Sequence, residues 1–208
     1  MAVDFQKLVS SPDAAYAEGI KFFRGKGMLS EAIKKVAKDL EREGIDYAAI
    51  GAVALNRHGY RRFTEDIDLL LTKEGLERFR ERLVGRGYRP AFQGANKTFR
   101  TVDNIPVEII TTGEYPGDGL PKPVVFPTPS DVSVEIDGVK TISLEKLIEL
   151  KLASGLTAPH RIKDLGDVQE LIKALDLDET LSERLDPSVR EKYLELARAV
   201  LNSGEMPS

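Results

Sequence analysis

Two aspartates inside an apolar strand constrain this chain more than any other feature. Asp66 and Asp68 stand one residue apart and are followed by three leucines, Leu69-Leu70-Leu71. Because side chains alternate along a strand, both carboxylates point to the same face. Aspartate is depleted in strands, and neighbouring carboxylates repel each other. The pattern favours a bound divalent cation, although an isolated Asp-x-Asp triplet also fits a solvated strand end.

A third acid and the composition of the chain together indicate which metal ions the predicted site would bind. Glu108 lies in a second short apolar strand, Pro106-Val-Glu-Ile-Ile110, and beside the first strand it completes a three-carboxylate site. The 208 residues include no cysteine and only two histidines, which excludes thiolate zinc sites, disulfide scaffolds and multi-histidine centres. Oxygen ligands of this kind suit one or two Mg²⁺ or Mn²⁺ ions that bind nucleotide phosphates.

A glycine turn and a cationic loop precede the aspartates. Gly51 follows the predicted buried strand 47–50 and precedes a predicted short helix, so it permits a tight turn and close backbone approach. The N-terminus of that helix offers free N–H groups to a phosphate. The loop that follows carries a histidine and three arginines: Arg57, His58, Arg61 and Arg62. A triphosphate would meet cations there, although each arginine alone also fits ordinary surface charge.

The spacing of apolar residues predicts an α+β fold, in which helices flank a small mixed β-sheet core and a helical subdomain follows. Helical periodicity begins after an N-cap at Ser30 and recurs over 73–86. Asp137-Gly138 between two short apolar runs predicts a β-hairpin with a two-residue turn. Repeated glycine and proline make 113–129 a long irregular loop.

These patterns divide the chain into an N-terminal arm, a core, a C-terminal helical subdomain and a tail, with predicted bounds 1–28, 29–142, 143–202 and 203–208. No apolar run approaches the ~20 residues of a membrane span, and the first residues lack a signal-peptide pattern. We therefore expect a cytoplasmic protein with no membrane partner. The net charge of −4 argues against non-specific nucleic-acid binding over the whole surface, though not against a local basic patch.

The run from Gly51 to Leu69 resembles the nucleotidyltransferase superfamily of the DNA-polymerase-β type. That superfamily has an apolar residue, glycine and then glycine or serine, a short helix, Asp-x-Asp on the next strand, and a third acid on a later strand. Its minimal members related to the AbiEii-type toxin and abortive-infection family are the most similar. They share the run Gly51-Ala-Val-Ala-Leu-x-x-His58-Gly59-x-x-Arg62-x-Thr64-x-Asp66-Ile-Asp68, then Lys151 and Arg161-Ile-Lys163-Asp164-Leu-Gly-Asp167. The resemblance covers roughly residues 30–175.

The resemblance implies transfer of a nucleoside monophosphate from an NTP to an acceptor hydroxyl, with release of pyrophosphate. It implies that Asp66, Asp68 and Glu108 are catalytic and bind Mg²⁺ or Mn²⁺. It assigns NTP binding to seven further residues: Gly51, Ala52, Arg57, Arg61, Arg62, Thr64 and Lys151. The acceptor stays open between tRNA, a protein and a small molecule, and the toxin relation also implies an antitoxin partner.

Two residues depart from the superfamily pattern. Ala52 stands where glycine or serine is usual, so it offers a phosphate only its backbone N–H. Glu108 stands where aspartate is common, which places its carboxylate one methylene farther out. Both departures keep open an alternative, in which the chain is a degenerate, non-catalytic regulator or interaction protein that binds a nucleotide without turning it over.

The position of Lys151 allows two interpretations. It lies beside the apolar face of a predicted helix, where lysine commonly extends its stem along the surface towards water. The resemblance instead places its ammonium over the cleft, bound to the triphosphate and not to a protein carboxylate. The next helix carries charged residues whose spacing allows surface pairs at i, i+3 and i, i+4, or a structural role in support of the site: Arg161, Lys163, Asp164 and Asp167.

Overall fold

The computed structural model describes residues 4–23 and 26–204. Its α-helices in these ranges are α1 (Phe5–Val9), α2 (Pro12–Phe23), α3 (Met28–Arg42), α4 (Gly51–Arg57), α5 (Lys73–Arg82), α6 (Pro129–Val132), α7 (Leu144–Thr157), α8 (Lys163–Leu175) and α9 (Pro187–Gly204). Its strands are β1 (Tyr47–Ala49), β2 (Ile67–Leu71), β3 (Tyr88–Pro90), β4 (Thr98–Thr101), β5 (Pro106–Thr111), β6 (Ser133–Ile136) and β7 (Val139–Ile142). Short 3₁₀ turns cover Pro159–Arg161 and Glu179–Arg184. The predicted α+β class is confirmed.

One mixed sheet holds these strands in the order β3-β4-β5-β2-β1-β7-β6. At its centre β2 pairs in parallel with β5 and antiparallel with β1. The predicted hairpin is present: β6 and β7 pair antiparallel around Asp137 and Gly138, both of which have the positive φ that a two-residue turn requires. β7 joins the hairpin to the sheet, since it runs parallel to β1.

The apolar side chains of β2 are buried on both faces of the sheet. Leu69 and Leu71 belong to the core formed with α3 and α5, whereas Leu70 belongs to the core formed with α4, α7, α8 and α9. Side-chain alternation therefore places Asp68 on the same face as Leu70. The first of the predicted catalytic strands thus presents its carboxylate beneath the C-terminal helices.

Two helix ends differ from the predictions. α3 begins at Met28 rather than after Ser30, because the buried carboxylate of Glu18 accepts a hydrogen bond from the N–H of Met28. This cap comes from another helix, so the local pattern of α3 contains no sign of it. α5 ends at Arg82 rather than Arg86, because the chain turns through Gly85, whose φ is +81°.

The two termini of the chain are more helical than predicted. The N-terminal arm contains α1 and α2, and Phe5 of α1 is fully buried in the core beneath α3. α9 continues to Gly204, so the predicted tail starts within a helix, and its residues 205–208 lie outside the described ranges, as do 1–3 and 24–25 of the arm. The predicted domain boundary at 143 stays a prediction. None of the helices in the described ranges is long and apolar enough to cross a membrane.

The second core predicts a position-dependent cost of losing a leucine. Leu171 of α8 is fully buried, whereas Leu201 of α9 is 54% exposed. We expect Leu171→Ala to lower the free energy of unfolding by about 2–5 kcal/mol, because it leaves a cavity. Leu201→Ala is the matched control and should change it by about 0.5 kcal/mol or less. Urea unfolding measures both values, and similar losses in the two variants would contradict the packing described.

Candidate active site

A cleft of about 440 Å³ opens between the sheet and helices α7 and α8. Its apolar lining includes Ile50, Ile110, Phe126, Leu147 and Leu150. Eight of the sequence-predicted site residues also line the cleft: Gly51, Ala52, Arg62, Thr64, Asp66, Asp68, Glu108 and Lys151. The structure therefore brings residues from widely separated parts of the chain to one concave surface.

The pairing of β2 with β5 brings the predicted acids together. Asp68 and Glu108 are register partners on adjacent parallel strands, whose backbones lie about 4.8 Å apart. Asp66 immediately precedes β2, and its carboxylate accepts a hydrogen bond from the hydroxyl of Thr64. Within the described ranges, none of the three acids forms a salt bridge. They share one wall of the cleft, and no described cation contacts them within salt-bridge distance.

Among these acids, Asp68 has surroundings that clearly shift its pKa. Burial is the largest influence on its carboxyl group, and together with the charges of Asp66 and Glu108 it raises the pKa of Asp68 to about 7. Lys151 and Arg161 oppose this shift only in part. A cation bound beside Asp68 would favour the ionised carboxylate and remove the conflict.

The acids fit a magnesium ion that is shared with a ligand better than one held by protein alone. In the part of the chain that the structure describes, no group of three or more His, Cys, Asp or Glu side chains is placed to hold a metal ion. Mg²⁺ commonly binds through one or two carboxylates together with substrate phosphates and water. Asp66 and Asp68 supply such a pair, so the donor set fits Mg²⁺ in a nucleotide complex.

Gly51 allows the Asp68 carboxylate to occupy its position. Gly51 begins α4 at a φ of +60°, a conformation that favours glycine. A Cβ atom on Gly51 would lie only 1.9 Å from Oδ2 of Asp68. The N–H of Ile50 donates to the carbonyl of Asp68 over 3.0 Å and fixes the two segments against each other. The predicted tight turn is present, and its nearest neighbour is the carboxylate itself.

The three arginines of the predicted cationic loop do not converge on one place in the structure. Arg62 lines the cleft and donates through Nη1 to Oδ2 of Asp167 over 2.6 Å. Arg57 instead donates to the carbonyl of Ile136, at the hairpin. Arg61 is exposed and does not line the cleft. The structure therefore brings Arg62 to the candidate site, and it places Arg57 and Arg61 elsewhere.

The prediction that Lys151 has no protein carboxylate as its partner is wrong. Its Nζ donates to Oδ1 of Asp164 over 3.0 Å and to Oδ2 of Asp167 over 2.7 Å. The Lys151 residue is 8% exposed, so it does not extend towards water as a snorkelling lysine would. Lys151 lines the cleft, but its ammonium is already paired with two buried aspartates.

Asp164 and Asp167 form part of a buried network rather than the surface pairs that their spacing also allowed. Burial raises the pKa of Asp164, but Lys151, Ser154 and Arg161 outweigh it and hold that pKa below the usual value. Ser154 donates to Asp164 over 2.7 Å, and Arg161 donates to it over 2.9 Å. The sequence does carry a sign of this burial: both aspartates share the apolar stripe of α8 with Val168 and Leu171, at i, i+3, i+4 and i+7.

No protein-family model and no curated protein matches the chain. Among solved structures, ANT(2")-Ia in complex with adenylyl-2"-tobramycin is 15% identical, with 82% of this chain and 98% of that chain covered and a TM-score of 0.48. An antigenic nucleotidyltransferase-like protein from Paracoccidioides brasiliensis is 17% identical, with 84% and 87% covered and a TM-score of 0.47. JHP933 from Helicobacter pylori is 17% identical, with 82% and 92% covered and a TM-score of 0.41. All three identities are below 25% and all three TM-scores are below 0.5, so these likenesses assign no function to this chain.

The contact between Gly51 and Asp68 predicts a difference between two glycine substitutions. Gly51 and Gly85 both have positive φ, but a Cβ on Gly85 would meet nothing within 4 Å. Gly85→Ala should therefore lower the free energy of unfolding by only about 1–2 kcal/mol, the cost of the left-handed backbone. Gly51→Ala should lower it by about 3 kcal/mol or more, because it also displaces the Asp68 carboxylate. Equal losses in denaturant unfolding would contradict the close contact.

The buried pairing of Lys151 predicts that its charge stabilises the free protein. Lys151→Met leaves Asp164 and Asp167 with fewer cations, so it should lower the free energy of unfolding by about 3–5 kcal/mol. Lys192→Met is the matched control, because Lys192 pairs with the exposed Glu195, and its effect should stay below about 1 kcal/mol. Thermal unfolding without ligand measures both effects. An unchanged melting temperature for Lys151→Met would restore the snorkelling interpretation.

Proposed function

We propose that this chain is a metal-dependent nucleotidyltransferase, which moves a nucleoside monophosphate from an NTP to an acceptor hydroxyl and releases pyrophosphate. The observation that carries the proposal is the convergence of Asp66, Asp68 and Glu108 on one wall of the cleft, where none of them forms a salt bridge with a described residue. Repulsion within such a cluster destabilises the ligand-free protein, and a ligand that brings positive charge would relieve it. A metal-bound triphosphate is a ligand of this kind.

Asp66 and Asp68 would hold Mg²⁺, or Mn²⁺, together with the triphosphate. The bound ion would supply charge that stabilises the attacking and leaving oxygens. Thr64 orients Asp66 through its hydroxyl, which leaves the other oxygen of that carboxylate available. Gly51 and Ala52 line the cleft next to Asp68, and the backbone N–H of Ala52 is the group that would donate to the triphosphate.

Glu108 is the proposed general base. It is exposed, in contrast to its register partner Asp68, so an acceptor can reach it from solvent. It would accept the proton of the acceptor hydroxyl while that oxygen forms a bond to the α-phosphorus. The bond from the α-phosphorus to the bridging oxygen breaks, and pyrophosphate leaves with the electron pair. Arg62 and Arg161 also line the cleft, where their positive charge can stabilise the negative charge of the leaving pyrophosphate.

The proposal extends to the class of acceptor and to the biological role. The motifs shared with the AbiEii-type family support a toxin-like half of a toxin–antitoxin pair, whose acceptor is tRNA, a protein or a small molecule. Ala52 supports the second candidate, a degenerate regulator that binds a nucleotide without turnover, because it removes the side-chain hydroxyl that serine would offer a phosphate. Incubation with each α-labelled NTP and a cell extract identifies the labelled fraction and so the acceptor.

The carboxylates predict which variants lose transfer. Asp66→Asn, Asp68→Asn and Glu108→Gln should each reduce Mg²⁺-dependent pyrophosphate release by at least about a hundredfold, because each removes a charge that binds the metal or accepts the proton. Glu65→Gln is the matched control and should keep wild-type activity, since Glu65 is exposed and does not line the cleft.

Calorimetry together with the pyrophosphate assay distinguishes the enzyme from the non-catalytic regulator. Binding of Mg²⁺–NTP by calorimetry without pyrophosphate release, in the presence of extract, would favour the regulator. Wild-type activity in Asp68→Asn would overturn the assigned metal site, and absence of any NTP binding would overturn both candidates.

A further inference from the structure

The loop 113–129 closes the end of the cleft opposite the carboxylates. It begins where β2 and β5 end, because the N–H of Thr112 donates to the carbonyl of Leu71 over 2.9 Å. Asp68 lies three residues before Leu71, which is about 10 Å along the strand. Gly51 lies at the Asp68 end. The cleft therefore runs along the sheet from the proposed triphosphate site to this loop.

Contacts on both sides of Tyr115 hold the backbone of the loop. Just before it, the N–H of Phe126 donates to the carbonyl of Glu114 over 2.9 Å, which bridges the two ends of the loop. Just after it, the Nζ of Lys122 donates to the carbonyl of Pro116 over 2.6 Å. The backbone of Tyr115 is thus held between two bridges, although the loop contains no strand of its own.

Gly117 lets this part of the loop lie against α7. Its φ is +75°, and a Cβ there would lie 2.8 Å from the carbonyl oxygen of Ser154 and 2.4 Å from Oγ1 of Thr157. Lys122 reinforces the contact, since its Nζ also donates to Oγ1 of Thr157 over 3.0 Å. The loop is therefore docked on the helix that forms one wall of the cleft.

The side chain of Tyr115, in contrast to its backbone, is uncommitted. It is half-buried and lines the cleft, and it makes no hydrogen bond, ion pair or ring contact with any residue that the structure describes. Apolar side chains of Ile110 and Leu150 line the same cleft. An aromatic ring on a fixed backbone binds a flat partner with little further loss of conformational freedom.

We propose that the ring of Tyr115 stacks on the nucleobase of the bound NTP, an inference that rests on the proposed nucleotidyltransferase function. With the triphosphate at Gly51 and Asp68, the ribose and base extend along the apolar lining towards the loop. The exposed side of Glu108 remains open for the acceptor. Because every base has a π-face, stacking tolerates all four bases, and purines gain more from it through their larger rings.

Calorimetry with two ligands tests this role. The affinity of Tyr115→Ala for Mg²⁺-bound ATP should fall by at least about fivefold, the lower end of the effect of a lost base–aromatic stack. Its affinity for Mg²⁺-bound tripolyphosphate, which has no base, should stay unchanged. Tyr115→Phe should bind ATP almost as wild type does, because the ring is kept. Tyr16→Ala is the control, since Tyr16 is 74% exposed on α2.

The outcomes distinguish this inference from the proposed function. Wild-type binding of both ligands by Tyr115→Ala would overturn the stacking role and leave the nucleotidyltransferase proposal standing. An equal loss for both ligands, or a loss in Tyr115→Phe as large as in Tyr115→Ala, would also overturn it. Failure of the wild-type protein to bind either ligand would overturn the function, and the inference with it.

The absence of tryptophan from the sequence permits a direct optical test. Tyr115→Trp introduces a single tryptophan, whose fluorescence should be quenched by Mg²⁺-bound ATP and not by Mg²⁺-bound tripolyphosphate. Tyr16→Trp should respond to neither ligand. A Tyr115→Trp protein that binds ATP by calorimetry without a change in fluorescence would contradict stacking.

Discussion

The carboxylate of Asp68, held against Gly51, is the contact on which the arrangement of the cleft depends. It requires β2 to be buried on both faces, β5 to lie beside β2, and α4 to start on a residue without a side chain. The same contact confines a charged group near Asp66 and Glu108, which raises its pKa to about 7. The fold therefore maintains an unfavourable charge arrangement at one place, and such arrangements are typical of ligand sites.

A second charge cluster fixes the opposite wall. Lys151 of α7 pairs with Asp164 and Asp167 of α8, and Arg62 from the loop before β2 reaches the same Asp167. The cluster thus ties two C-terminal helices to the segment that leads into β2. Lys151 and Arg62 are thus paired with aspartates, whereas Asp66, Asp68 and Glu108 line the cleft without a salt bridge in the described ranges.

The positions of the central strands and of the hairpin turn were predictable from sequence, because they depend on residues close together in the chain. Alternation placed Asp66 and Asp68 on one face, and Asp137-Gly138 defined the hairpin. The partners of Lys151 and Arg57 were not predictable, because they depend on contacts across 13 and 79 residues of chain. Tyr115 was missed for a similar reason: a loop rich in glycine and proline shows no periodicity, and only its docking on α7 brings the ring into the cleft.

The central claim is that Asp66 and Asp68 bind a divalent cation together with a nucleotide. Titration of Mn²⁺ followed by electron paramagnetic resonance, with and without a non-hydrolysable NTP analogue, tests it most directly. Our account predicts that the protein removes Mn²⁺ from the free-ion signal in stoichiometric amounts when the analogue is present, beyond what the analogue binds alone, and that Asp68→Asn abolishes this effect. Equal Mn²⁺ binding by wild type and Asp68→Asn would contradict the account.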